Sequence, residues 1–474
     1  MADRKVNLVK NTALFALGNL GSKLLQIFLV PYYTRVMTEA EFGTADVLQA
    51  VVALLLPLLS LTVYEAVFRY AMESDCDKNS VLSAGVAITV IGTVVLCFAG
   101  AVMTLVYPIE FMWLVILNSV ANAFRSLYSQ YTRAVGKTAL FTLDNVLITA
   151  YVLIFNILFI SVFNLGITGY MLGYTLANVI SSLFLIVSLK NLSRVKLSLI
   201  KSTTVKQLLK FSIPLIPNSI CWWLSSFASR LMITFYIGEG ANGLFAAAYK
   251  IPSLLSVIVT IFFQAWQISA NEEFKKKDVA DFYTEIYNQI FALIVTVSSV
   301  LIILCRPITS LFLGHDYQSA WAYMPTLLIA MTFFAFAQFL GSIYSANKKT
   351  GMAFVTNLIG VIVNVTLNFI LIKYFSVLGC AIATAVSYFV LWISRAIDTK
   401  KIVAIKHKLA TTVIAVLILC LQCVLVSSEA PYAYLISIIG LIILLAIFFK
   451  TFKELFIFAL SILKRFLKKG VQNG

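Results

Sequence analysis

Apolar runs of roughly 18 to 27 residues, set apart by short segments carrying charge, glycine or proline, recur about fourteen times along the chain. They fall near 11–36, 43–69, 81–106, 111–135, 140–163, 167–189, 211–237, 243–270, 282–304, 321–346, 350–373, 377–399, 409–427 and 431–449. A helix of ~20 residues crosses the ~30 Å hydrocarbon layer, so the pattern predicts an all-α polytopic membrane protein. Polar residues interrupt four of these runs at helical spacing. The first carries Asn19, Lys23 and Gln26, with Lys23 near its middle. The fourth carries Asn118, Asn122, Arg125, Ser129 and Arg133, and the seventh Asn218, Ser225, Ser229 and Arg230. The eighth carries Lys250, Ser253, Thr260, Gln264 and Gln267. A single such stripe is what interhelical hydrogen bonding looks like, and a lysine paired with a carboxylate would merely lock two helices. Four stripes that each hold a cation predict a wet intramembrane cavity that suits an anion, because an ammonium in lipid costs at least ~2.5 kcal/mol. Asp46 and Glu65 are the acids read as available inside the membrane, and Glu65 is expected to pair with Arg69 at i, i+4.

Composition sharpens the topology. Hydrophobic residues make up 61% and charged residues 12%, the mean hydropathy is +0.95, and the formal charge is +16. In a soluble chain that charge would raise the question of nucleic acid, but here 28 of the 36 Lys and Arg residues cluster in alternate tails and loops. The intervening connections hold only Arg35, Arg306 and Lys373. This is the positive-inside asymmetry, and it predicts both termini in the cytoplasm, a chain inserted in the inner (cytoplasmic) membrane, and no nucleic-acid partner. The first run is longer than a signal-peptide core and is read as its own insertion signal. The outer connections are too short for a domain. Seven scattered cysteines argue against a disulfide framework; Cys420 and Cys423 form a CxxC inside an apolar helix and are read as filler. His315 and Asp316 are read as a solvated turn. Neither a catalytic residue nor a metal or cofactor is expected.

A repeat organises the first twelve runs. Shifting the chain by 200 residues superposes Lys10 on Lys210, Thr12 on Ser212, Glu39 on Glu239 and Gly43 on Gly243. Shifting by 212 superposes Lys137-Thr138 on Lys349-Thr350, Asn145 on Asn357 and Asn156 on Asn368. Two parallel six-helix halves, 1–189 and 211–399, are therefore expected, joined by a basic link at 190–210 and related by an axis along the membrane normal. Two additional helices occupy 400–449, and 450–474 reads as an amphipathic cytoplasmic tail. Pro214, Pro217 and Pro252 are candidate bend points.

The entry KNTALFALGNLGSKLLQIFLVPYYTRVMTEAEFG (10–43), the stretch YTRAVGKTALFTLDNVLITAYVLIFNILFI (131–160) and LGITG (165–169) resemble the Wzx-type polysaccharide biosynthesis proteins. ANKKTGMAFVTNLIGVIVNVTLNFILI and LGCAIATAVS look like the corresponding segments of the second half. These proteins are flippases of lipid-linked saccharides in the multidrug/oligosaccharidyl-lipid/polysaccharide exporter superfamily. The resemblance implies two six-helix bundles in a V, with two extra helices that help form a groove for a lipid tail. It implies transport of an undecaprenyl diphosphate-linked oligosaccharide from the inner to the outer leaflet by alternating access, among membrane lipids and alongside other polysaccharide-assembly proteins. In that reading Lys23, Arg125, Arg230 and Lys250 attract the diphosphate, while Asn19, Gln26, Asn122, Asn218 and aromatics such as Trp222, Trp223 and Trp266 meet sugars. Three other readings stay open: a lipid II flippase, a multidrug exporter of the same superfamily, and a membrane glycosyltransferase or polymerase using the Glu39 and Glu41 pair.

Overall fold

A computed structural model describes residues 29–457 apart from 74–75, 107–108, 191–194, 275–277, 348–349 and 407–408. Among these residues every regular element is a helix. Residues 29–36 form α1. The others are α2 Glu39–Leu59, α3 Val63–Ala71, α4 Lys78–Val106, α5 Met112–Ala134, α6 Thr138–Asn156, α7 Gly166–Ser188, α8 Ser202–Ser212, α9 Ile216–Tyr236, α10 Glu239–Glu273, α11 Val279–Phe312, α12 Met324–Ala346, α13 Thr350–Thr399, α14 Leu409–Ser427 and α15 Ala433–Ile447. Among the described residues eight helices are long and apolar enough to cross a membrane, and α15 joined to Phe449–Ile457 across a 60° bend makes a ninth. Their large apolar side chains face outward, as at Phe98 on α4, Leu417 and Val424 on α14 and Ile442 on α15. In water such a surface would aggregate; in lipid it is at home.

The chain forms two compact units, one comprising 18–246 and the other containing 247–474. Packing thus divides the chain one span later than the repeat does, because α9 lies on α2. In the first unit, Thr38 and Glu41 close a capping box at the start of α2, with the Thr38 amide donating to Glu41 Oε2 at 2.9 Å. Glu41, half of the acid pair that an enzyme would need, is thereby engaged as a cap. The run expected as one span from 43 to 69 is broken. Pro57 removes a helical donor, Leu61 and Thr62 adopt positive φ, and α3 starts afresh at Val63. Thr62 Oγ1 donates to the Ser212 carbonyl at 2.7 Å, tying this break to the end of α8. Arg69 pairs with Glu73 at 3.1 Å rather than with Glu65. Val63, Val67, Leu82, Leu127, Tyr131 and Leu208 form the core where α3, α4, α5 and α8 meet.

The repeat-related glycines Gly43 and Gly243 prove to be neighbours. A Cβ on Gly43 would overlap the Glu239 carbonyl, and one on Gly243 would overlap the Glu39 carbonyl. The reciprocity is what a local two-fold axis produces. Asn242 Nδ2 completes the junction by donating to the Gly43 carbonyl at 2.9 Å.

In the second unit α13 is two antiparallel arms that reverse at Ser376, whose φ of 52° and ψ of −134° are non-helical. The reversal brings Asn364 against Ser387 at 3.3 Å and the Gly379 backbone against Leu371. It matches the two expected spans 350–373 and 377–399. An aromatic core of Trp266, Phe282, Tyr283, Tyr287, Phe336 and Phe339 fills the space among α10, α11 and α12. The α14 helix packs on α11, α12 and α15, and its Gln422 amide donates to Ser299 Oγ on α11 at 2.9 Å and to the Ser437 carbonyl on α15 at 2.8 Å. Arg306 with Glu429 and Asp281 with Lys406 clamp opposite ends of α11, at 3.5 Å and 2.9 Å.

Candidate functional site: buried guanidinium nodes

Arg125 sits on the polar face of α5, where Asn118, Asn122 and Ser129 recur at helical spacing. Its Nη2 donates to Asp144 Oδ2 at 3.0 Å and to Asn145 Oδ1 at 3.1 Å on α6, and its Nε donates to Ser181 Oγ at 3.1 Å on α7. Ser181 Oγ in turn donates to Asp144 Oδ1. The Asp144 side chain is fully buried and Arg125 is 17% exposed. A carboxylate, a guanidinium, an amide and a hydroxyl thus join three helices in a locally neutral node. Above it Asn178 Nδ2 donates to Asn118 Oδ1 at 3.1 Å, adding a second α5 to α7 bond.

Arg230 on α9 places its Nε 3.3 Å from Asp46 Oδ2 on α2, both side chains being less than a tenth exposed. The two atoms are within ion-pair range without hydrogen-bond alignment. Phe227, one turn earlier, places its ring 4.9 Å below the guanidinium. Tyr170 on α7 lies within electrostatic reach of both charges and begins a buried chain of phenols. The Tyr170 ring lies 4.9 Å from that of Tyr174 and 5.0 Å from that of Tyr33 on α1, centroid to centroid, and Asn156 Nδ2 donates to the Tyr33 hydroxyl. At Asn156 α6 widens into the π-helical turn Ile157–Val162, whose Ser161 hydroxyl bonds Tyr32 at 2.8 Å. Gly173 makes room for the Asn156 amide, because a Cβ there would overlap it. Polar groups of α1, α6 and α7 thus adjoin, with the Asp46 and Arg230 charges of α2 and α9 within electrostatic reach of Tyr170.

Arg395, at the end of α13, is 2% exposed. It donates to the Ala337 carbonyl at 2.7 Å, to Asn357 Oδ1 at 2.7 Å and to Thr356 Oγ1 at 3.2 Å. All three acceptors are neutral. The charge count assigned this residue to an inner loop; the reversal at Ser376 instead turns it inward against the first arm of α13.

Two of the cations expected to line an anion-ready cavity, Arg125 and Arg230, each lie beside an acid, Asp144 and Asp46. Asp144 carries a sequence signal of its own, since an aspartate inside an apolar run is costly unless it is paired. The tyrosine chain had no sequence signal beyond its aromatics, because Tyr33, Tyr170 and Tyr174 lie on distant segments. Lys23, Asn19 and Gln26 lie outside the described residues. Asn122, Asn218 and Trp222 are half-buried, and Lys250 is half-buried in the second unit. Trp266 is a correction: it is fully buried, donates to Ser342 Oγ at 2.8 Å and is packed by rings on several sides, so it cannot be a sugar platform. Trp223 is held by the Ala50 carbonyl at 2.6 Å.

Residues 8–267, more than half of the chain, match the polysaccharide biosynthesis protein family. The chain belongs to that family. An Lsg locus protein of Haemophilus influenzae is 22% identical over 255 residues, which make up 53% of this chain and 62% of that protein. The chain thus spans somewhat less than two thirds of that relative. Among solved structures, the lipid II flippase MurJ in an inward closed conformation superposes with a TM-score of 0.64 at 15% identity, over 94% of this chain and 100% of MurJ. An inward-facing multidrug resistance MATE family transporter gives 0.64 at 14% identity, over 84% of this chain and 98% of that one. A transporter of the MOP superfamily from Pyrococcus furiosus gives 0.60 at 15% identity, over 84% and 96%. The family match and the superpositions together give a polysaccharide biosynthesis protein whose fold is shared with these multi-pass membrane proteins.

Proposed function

We propose that the protein flips an undecaprenyl diphosphate-linked oligosaccharide from the inner to the outer leaflet of the cytoplasmic membrane, with both termini in the cytoplasm. The observation that carries this reading is membership of the polysaccharide biosynthesis family over residues 8–267. Alternating access of the repeats 1–189 and 211–399 would move the hydrated head while the prenyl tail stays in lipid, and the helices within 400–449 would guide that tail. Lys23, Arg125, Arg230 and Lys250 are the proposed diphosphate contacts, with Asn19, Gln26, Asn122, Asn218 and Trp222 toward the sugars. The ion pairs rank the two described arginines. Arg125 is held by three side chains on two helices and chiefly joins them, and the contact of Arg230 Nε with Asp46, within ion-pair range but without hydrogen-bond alignment, is the weaker of the two pairings.

Flipping in proteoliposomes, normalised to folded protein, tests this. Lys23→Gln with Arg230→Gln is expected to lower the rate per folded protein at least tenfold, while the buried Asp46 carboxylate left without its partner also lowers abundance. Normal flipping by that double variant sinks the cationic mechanism. A second reading, transport of lipid II, draws support from the MurJ superposition, which covers 94% of this chain against 84% for the MATE transporter. Extraction of lipids from a deletion strain separates the two: accumulation of a lipid-linked surface saccharide supports the first reading, accumulation of lipid II the second.

A further inference from the structure

At the lysine-rich end of the first unit, the start of α4, the α5 to α6 turn and the end of α7 enclose a cavity of about 670 Å³. Lys78, Lys137 and Lys190 line it together with Asp77 and Asn79, and the fully buried Tyr131 forms part of its wall. The backbone places each lysine deliberately. Gly136, at φ +81°, lets α5 end in a Schellman turn in which the Lys137 amide donates to the Thr132 carbonyl at 3.2 Å and the Gly136 amide to the Arg133 carbonyl at 3.1 Å. Lys190 itself takes the left-handed conformation, at φ +52°, just beyond the end of α7. Glycine would cost less there, so a lysine at that position suggests that its side chain is used. Lys78 opens α4, where the helix dipole is already positive and Asp77 Oδ1 is occupied by the Asn79 amide at 3.1 Å.

Three lysines beside one aspartate give the described lining a basic character that suits an anion. Lysine serves phosphate as a point charge, and the volume exceeds what a bare ion needs and falls in the range of small-molecule sites. We propose that this cavity binds a phosphate ester, the chemistry shared by an anionic phospholipid head and a soluble phosphate. The position of the cavity at the ends of apolar helices is where lipid phosphates lie. This inference does not depend on the transported substrate.

The test uses the full chain in detergent, with native mass spectrometry reading retained phosphatidylglycerol against phosphatidylcholine, and thermal shift reading glycerol 3-phosphate. One phosphatidylglycerol, or glycerol 3-phosphate, is expected to bind in preference to phosphatidylcholine. Lys137→Gln should weaken binding about fivefold, and Lys78→Gln with Lys137→Gln about 25-fold. Ser188→Trp, which projects an indole into the cavity and keeps every charge, should weaken binding at least tenfold. Lys201→Gln with Lys206→Gln, on or beside α8 and outside the cavity lining, should leave it unchanged. Displacement of the lipid by glycerol 3-phosphate identifies a soluble ester as a source; retention of the lipid identifies the head group. Undiminished binding in Ser188→Trp overturns the site, as do equal losses from the two lysine pairs or the absence of any preference for phosphate over phosphatidylcholine. The exposed lysines carry little folding load, and Lys137→Arg, expected to bind normally, controls for misfolding.

Discussion

The Arg125 node of the first unit and the Arg395 node of the second are the same three corners, filled differently. Adding 212 to Arg125 and Asp144 gives Ala337 and Thr356, and adding 214 to Ser181 gives Arg395. In the first unit the guanidinium comes from α5 and reaches the aspartate and the serine. In the second it comes from the corner matching the serine and reaches back to the Ala337 carbonyl and Thr356. The amide is the constant: Asn145 and Asn357 each accept from the guanidinium of their unit. The repeat has therefore kept a buried cation joining three helical segments while changing the helix that supplies it. It has not kept the carboxylate. A cation moves easily between corners because its donors are many and its stem is long; the acid is retained only where the first node pairs its charge.

The comparison can be broken most forcefully at Asp144. Asp144→Ala leaves Arg125 buried and without its carboxylate, and it should destabilise the folded protein by about 3–5 kcal/mol. Thermal unfolding in detergent reads this, and Arg125→Met combined with Asp144→Leu should recover most of the loss. Arg395→Met should cost less, about 1–3 kcal/mol, since it strands only neutral acceptors. A loss equal to that of Asp144→Ala would show that the second node depends on its charge as much as the first. Gly43→Val tests the other repeat-related pair. Its side chain would drive into the Glu239 carbonyl, so a loss of about 1–3 kcal/mol is expected, with separation of the starts of α2 and α10 read by a cysteine crosslink at Gly240 and Glu39. The smallest effect sharpens the parallel. Thr356→Asp puts an acid opposite Arg395, where Asp144 stands in the first unit, and a charge-assisted bond should gain about 1 kcal/mol over the hydroxyl it replaces. Destabilisation would mean that the second node is shaped for neutral partners.

Much of the helix pattern was legible without coordinates, because burial in lipid demands long apolar segments whose backbones satisfy themselves. The two arms of α13, the end of α7 and the start of α5 fall within a few residues of the expected bounds. The break at 60–62 was less legible: Pro57 marks a weak point, but a proline in a membrane helix is also compatible with a continuous kinked span. Of the first node, the stripe of α5 marks the face on which Arg125 lies, and hydropathy could have pointed to Asp144.

What the sequence by itself determined was the medium, the helical class and the family, because all of these depend on residue type summed over long windows or on spacing along the chain. Tertiary structure alone decided which charges are paired. An ion pair depends on a few ångströms between side chains on different helices, and neither the 184 positions from Asp46 to Arg230 nor the 19 from Arg125 to Asp144 encode that distance. It alone turned Arg395 inward, because a reversal at one non-glycine residue, Ser376, decides which neighbours the second arm meets. It alone moved Trp266 from a candidate surface into the core, since a tryptophan on a polar-striped helix has the same letter whether its ring meets solvent or Phe339. Periodicity names a face of a helix; only packing says what that face touches.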